Sequence, residues 1–195
     1  MLRRSPAIGP VPLLGVTLLG AALGTAWDSL HVWTGTTAYA FGPDRMPFWV
    51  PLEFGFVYLI GAVGIALIGS PRPDERSRSR LLVETVWLTA VYATTALLHR
   101  YEWLVVALAV AAIVARRRAF VEIVRANPAP AIALITGGTI VETVLIALGV
   151  FDYSVASLGN VPVWLPLLYA NAIPFAVRLT ETALWYSRVT ERPVA

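Results

Sequence analysis

The stretch APAIALITGGTIVETVLIALGV, residues 129–150, holds one ionisable side chain, Glu142, in an otherwise apolar run. Coiled as an α-helix at ~1.5 Å per residue it reaches about 33 Å, enough to cross the ~30 Å hydrocarbon layer of a bilayer. Stretches of the same character lie to either side, at 11–28, 48–69, 81–98, 102–115 and 162–186, each bounded by short polar segments. The composition agrees, with 57% hydrophobic residues, 14% charged residues and a mean hydropathy of +0.70. Soluble domains carry about 25% charged residues. The expected fold is therefore all-α and integral to the membrane. It is one domain over residues 1–195, a bundle of six transmembrane helices.

The basic residues orient this bundle. All fifteen are Arg, which with the abundance of Ala, Val and Pro points to a GC-rich bacterial genome and so to a bacterial inner (plasma) membrane. One set of polar segments and termini holds twelve of them: Arg3, Arg4, Arg72, Arg76, Arg78, Arg80, Arg116, Arg117, Arg118, Arg125, Arg188 and Arg192. The other holds Arg45 and Arg100, and Arg178 falls within the last helix. Cytoplasmic loops retain positive charge, so both termini are expected inside. The Arg clusters beside helix ends read as topology signals that touch anionic lipid. Because membrane helices separate them, they form no basic groove, and nucleic acid is not an expected partner. The chain has no Cys, which removes disulfides and thiol chemistry.

The first apolar stretch fits two readings. Arg3 and Arg4 ahead of an apolar run that reaches Gly24-Thr25-Ala26 also suit a cleavable signal peptide. Gly20-x-x-x-Gly24 favours a retained helix, because this spacing lets another helix approach closely. At the outer ends of two later helices stand Phe48-Trp49-Val50-Pro51 and Val163-Trp164-Leu165-Pro166. Trp suits the headgroup layer, and Pro suits the first helical turn, where its missing N–H has no intrahelical partner. Interfacial anchoring accounts for both.

The same residues carry a family resemblance. Trp49-Val50-Pro51 with Gly55, the run Gly149-Val150-Phe151-Asp152-Tyr153-Ser154 with Thr139-Ile140-Val141 ahead of it, and Trp164-Leu165-Pro166 resemble segments of the insulin-induced-gene (Insig) family in order and spacing. The match spans about residues 40–185. The resemblance implies six membrane helices with both ends cytoplasmic and a pocket among them for a lipid, sterol-like or diacylglycerol-like. In eukaryotes the family binds oxysterols and retains sterol-regulatory partners: the escort protein of a sterol-regulated transcription factor, and hydroxymethylglutaryl-CoA reductase. Two segments depart from the family. Val114-Ala115-Arg116-Arg117-Arg118-Ala119 replaces a partner-contacting segment, so the eukaryotic-type protein partners are not expected here. Asn171-Ala172-Ile173-Pro174-Phe175-Ala176-Val177-Arg178 replaces a Gly-rich one, which alters the cavity. The partner expected is membrane lipid, with a homo-oligomer as a further option.

Candidate site residues follow from polar groups in apolar helices, because an ionisable side chain in hydrocarbon is costly and turns toward a cavity or a partner. Glu142 lies about thirteen residues into its helix, or ~20 Å. Thr139 shares its face at i, i+3, while Thr136 and Thr143 lie alongside. Glu53, Glu84 and Glu181 sit nearer helix ends, within reach of headgroups, and Glu53 joins the lipid-site candidates. Arg178 pairs with Glu181 at i, i+3 or contacts ligand, and Pro174 removes a backbone donor from that helix. Tyr58, Asn171, Tyr92, Thr94 and Thr95 add further polar atoms. Asp28 and His31 are spaced to pair across one turn at a solvated helix end.

Two other functions compete with lipid binding. Pro51-Leu52-Glu53 with Phe56 resembles the Pro-x-Glu motif of membrane lycopene cyclases, in which Glu53 would be an acid. Glu142 and Arg178 would also suit a proton or ion path. Inverted-repeat transporters, however, place their repeats on opposite sides, and both Trp-x-Pro starts here lie outside. His31 and His99, the only histidines, make no zinc set, and no phosphate loop or nucleophile elbow occurs. The expectation is a binding protein with no cofactor and no catalytic residue.

Overall fold

The computed structural model describes residues 8–40, 46–68 and 71–190. Arg3, Arg4, Arg45 and Arg192, four of the residues used above to orient the chain, lie outside them. The described residues form α1 (Pro10–Trp33), β1 (Thr37–Tyr39), α2 (Val50–Ile68), α3 (Ser77–Leu98), α4 (Glu102–Ala115), α5 (Arg117–Ala126), α6 (Ala129–Ala147), β2 (Phe151–Tyr153) and α7 (Leu165–Thr190). Of these, α1, α2, α3 and α6 are long and apolar enough to cross a membrane, α4 is apolar but shorter, and α7 is long but more polar.

The distribution of polarity explains the packing. The apolar helices α2, α4 and α6 turn Leu52, Val57, Leu104, Leu108, Ile140 and Val144 outward. The more polar α7 sits among the others and buries Asn171, Arg178, Thr180, Glu181 and Thr182 with Leu165, Leu168 and Phe175. Lipid solvates apolar side chains, so polar ones belong where other helices can satisfy them. Gly20 and Gly24 on α1 receive the Tyr58 and Phe54 side chains of α2, where any Cβ would overlap the ring. That close approach is what the Gly-x-x-x-Gly spacing predicted. Through Pro174 α7 continues unbroken.

Three features differ from the sequence expectation. Residues read as a polar loop form α5, which buries Phe120 and Ile123 against Ala131, Ala170, Ile173 and Val177. The fold is also not purely helical, since β1 and β2 pair antiparallel with Ala38 opposite Asp152. These strands tie the loop after α1 to the loop after α6. Finally, α6 stops at Ala147, with backbone N–H groups of Leu148, Gly149 and Val150 closing on its last carbonyls and Gly149 at φ 72°. A positive φ favours Gly and ends the helix there.

Candidate functional site

The early end of α6 moves Glu142. It lies five residues from the helix terminus, or ~8 Å, where the 129–150 reading puts it eight residues from the end. Asp28 lies five residues from the end of α1, and Glu53 is in the first turn of α2. All three carboxyls therefore occupy one layer at the end of the bundle where β1 and β2 lie. They are near enough for Asp28 and Glu53 to act electrostatically on Glu142.

Each strand sends a tyrosine into this layer. The Tyr39 hydroxyl donates to Asp28 Oδ2 at 2.7 Å, and the Tyr153 hydroxyl donates to Glu142 Oε2. From α7, the Tyr169 hydroxyl donates to Glu142 Oε1 at 2.5 Å. Burial, and then the neighbouring carboxyls Asp28 and Glu142, hold the Tyr39 and Tyr153 phenols above their ordinary range, so both keep the proton they donate. Gly138, one turn below Glu142, makes the α7 contact geometrically feasible: the Tyr169 ring lies where its Cβ would be. Asp28, Glu53, Tyr58, Glu142, Tyr153 and Tyr169 are all half-buried.

A continuous series of ring contacts lines this region. Trp49 meets Tyr39, Tyr39 meets Phe151, and Phe151 meets Tyr153, each with centroids 5.6–5.8 Å apart. Tyr153 meets Trp164 at 5.8 Å, and Trp164 meets His31 at 5.9 Å. His31 meets Tyr92 at 5.4 Å, which stacks on Trp27 at 5.0 Å; Phe175 then joins Trp27 to Tyr58. Trp164 is thus fully buried rather than an interfacial anchor, and its indole N–H has no partner among the described residues.

The other candidates fall in different places. Thr136, Thr139 and Thr143 donate their hydroxyls to the carbonyls of Ile132, Ile135 and Thr139 on their own helix, so Glu142 takes its donors from the tyrosines instead. Tyr58 packs against Gly20 and Phe175 near the carboxyl layer. Asn171 is fully buried in a second network, where its side-chain oxygen accepts from Arg116 Nη2 at 2.6 Å and its nitrogen donates to the Ala109 carbonyl at 3.2 Å. Arg116 Nη1 pairs with Glu84 at 2.5 Å, and its guanidinium lies over the Trp87 and Phe120 rings. Glu84 is therefore a buried ion-pair partner and not a headgroup ligand. Arg178 pairs with Glu181 at 2.8 Å and with Glu122 of α5 at 3.1 Å, and Glu181 also accepts the Arg72 backbone N–H. The crevice these groups border encloses about 30 Å³, room for one water.

Asp28 and His31 do not pair. His31 is buried and bonds Thr95 at 2.8 Å; His99 is also buried and bonds Thr36 at 3.0 Å. No group of three His, Cys, Asp or Glu among the described residues is placed to hold a metal ion. A separate cavity of about 300 Å³ lies between α3 and α4, bordered by Trp87, Val91, Thr94, Val105, Leu108 and Ala112.

No family model matches the chain, and no curated protein does. Among solved structures the chain is similar to MvINS, a mycobacterial Insig homologue from Mycobacterium vanbaalenii, with 28% identity and a TM-score of 0.69 over 96% of this chain and 99% of that one. It is also similar to a cross-linked MvINS trimer, with 27% identity and a TM-score of 0.71 over the same shares.

Proposed function

Because the chain is a bacterial Insig homologue and an integral membrane protein, we propose that it binds a neutral or weakly polar lipid, diacylglycerol-like or sterol-like, without converting it. The lipid's polar end sits in the carboxyl and tyrosine layer beneath β1 and β2, and its apolar part lies along α2, α6 and α7. The observation that carries this reading is Glu142, a half-buried acid in an apolar helix, held by two tyrosines from separate elements. Such a layer offers hydroxyl and carboxyl groups to an uncharged polar head.

The reading includes the chain's disposition in the membrane. The six longer helices α1, α2, α3, α4, α6 and α7 each cross once, as a single domain with both termini cytoplasmic, in the bacterial inner membrane. With those crossings, the segments between helices that carry Arg72, Arg76 and Arg116, and α5 with Arg125, lie on the cytoplasmic side, and the strands on the other. The cross-linked trimer of MvINS supports a homo-oligomer for this chain as well.

Mass spectrometry of lipid retained through gentle purification tests the binding, followed by titration of that lipid against variants. Glu142→Leu removes a group worth ~1 kcal/mol to a bound hydroxyl and should weaken binding roughly fivefold. It also frees two tyrosine hydroxyls, so thermal stability should fall too. A variant that loses stability yet binds the retained lipid as tightly as wild type would reject the assignment. Formation of a cyclised polyene, abolished by Glu53→Gln, would favour an enzyme instead.

A further inference from the structure

The run Arg116-Arg117-Arg118 is divided by the fold. Arg116 is buried and committed to Glu84 and Asn171, whereas Arg117 and Arg118 begin α5 and are exposed, as is Arg125 about two turns on. Spacing of four and seven residues puts Arg117, Val121 and Val124 on one stripe of α5, with Arg118 and Arg125 beside it. Val121 is 43% exposed and Val124 41% exposed. The adjoining stripe, Phe120 and Ile123, is buried against α6 and α7 and fixes the rotation of the helix, which leaves Val121 and Val124 exposed.

Position adds a second argument. α5 begins directly after α4 and is separated from α6 only by Asn127 and Pro128, so it lies at the surface of the membrane those helices enter. Its far end is fixed by Asn127, whose side-chain nitrogen donates to the Ile68 carbonyl at the end of α2. The acid on α5, Glu122, reaches back to Arg178 of α7. Among the described residues Arg117, Arg118 and Arg125 make no ion pair. A short helix with apolar and basic residues on its outer stripe suits the boundary between headgroups and chains.

We propose that α5 is a docking surface for anionic phospholipid: Arg117, Arg118 and Arg125 take headgroup phosphates of the leaflet that α4 leaves and α6 enters, while Val121 and Val124 lie among the upper methylenes. The surface is distinct from the carboxyl layer. It rests on α4 and α6 both crossing the bilayer.

The chain's lack of Cys makes a single label clean. A nitroxide on Val121→Cys, in vesicles of phosphatidylcholine with phosphatidylglycerol, should collide with oxygen more than with a water-soluble nickel chelate. Labelling the same Cys from either side of the vesicle reports the sidedness of α5 separately from its depth. In native mass spectra, affinity for phosphatidylglycerol should fall roughly fivefold for each Arg replaced by Gln, and the triple Arg→Lys variant should stay within about twofold of wild type. A triple Arg→Gln variant that retains phosphatidylglycerol like wild type would overturn the proposal. So would equal loss in the Lys variant, or a Val121 label that meets the chelate more readily than oxygen.

Discussion

Removing Glu84 should destabilise the chain more than removing both Glu84 and its partner. In the folded chain the Arg116 and Glu84 side chains are only 5% and 8% exposed, with 2.5 Å between Nη1 and Oε2. Glu84→Leu leaves the guanidinium buried with Asn171 Oδ1, backbone carbonyls and two aromatic faces, none of which carries a negative charge. Breaking a buried pair from one side costs about 3–5 kcal/mol, whereas replacing both members by apolar residues is often neutral or stabilising. At ~2–4 °C per kcal/mol for a chain of this length, the single variant should melt roughly 6–20 °C below wild type. Scanning fluorimetry in detergent, on Glu84→Leu, Arg116→Met and the double variant, measures this as a cycle. The double variant should recover most of the loss, with a coupling of at least ~2 kcal/mol. If Glu84→Leu melts within ~2 °C of wild type, or the double variant is no more stable than either single, the pair does not hold α3, α4 and α7 together as described.

Gly138→Ala should displace the Tyr169 ring, since the new Cβ would overlap it, and so release Glu142 Oε1; an overpacking cost of ~1–3 kcal/mol and weaker lipid retention are expected. Unchanged melting and unchanged lipid content in that variant would show that the ring adapts at no cost. Single Cys residues at Arg78 and Ala126 should react with impermeant maleimide only from the cytoplasmic side, and one at Ala156 only from outside; an outside reaction at Arg78 would refute the six-crossing arrangement.

The long apolar helices α1, α2, α3 and α6 were legible because an apolar run of about twenty residues has few alternatives in a bilayer, whereas the ten-residue α5 was not. What eluded the sequence depends on tertiary partners. Strands β1 and β2 are three residues each, too short for any alternation to register. Within Arg116-Arg117-Arg118, charge counting treats all three alike, and only the fold separates the buried member. Trp164 sits in the same Trp-x-Pro pattern as Trp49, and its burial comes from His31 and Tyr153 elsewhere in the chain. For Glu142 a signal was present: an acid in an apolar helix needs donors, and Tyr153, in the motif already singled out, lies just past the helix end. The three Thr residues were attractive by spacing, yet each hydroxyl has a carbonyl of its own helix within reach.

The pairing of β1 with β2 also bears on how the chain is made. Tyr39 faces Phe151, more than a hundred residues later, and the Thr36 carbonyl accepts from the Ser154 N–H. At ~5–20 residues per second, the ribosome delivers that partner on the order of 5–20 s after β1 has emerged. Through this interval the first loop has only helix-borne partners, such as Asp28 for Tyr39 and, once α3 is inserted, His99 for Thr36. The end of the bundle that holds the strands is therefore closed only after α6 has been made, and a nascent chain stalled before α6 presents an unpaired strand to whatever surveys the membrane surface.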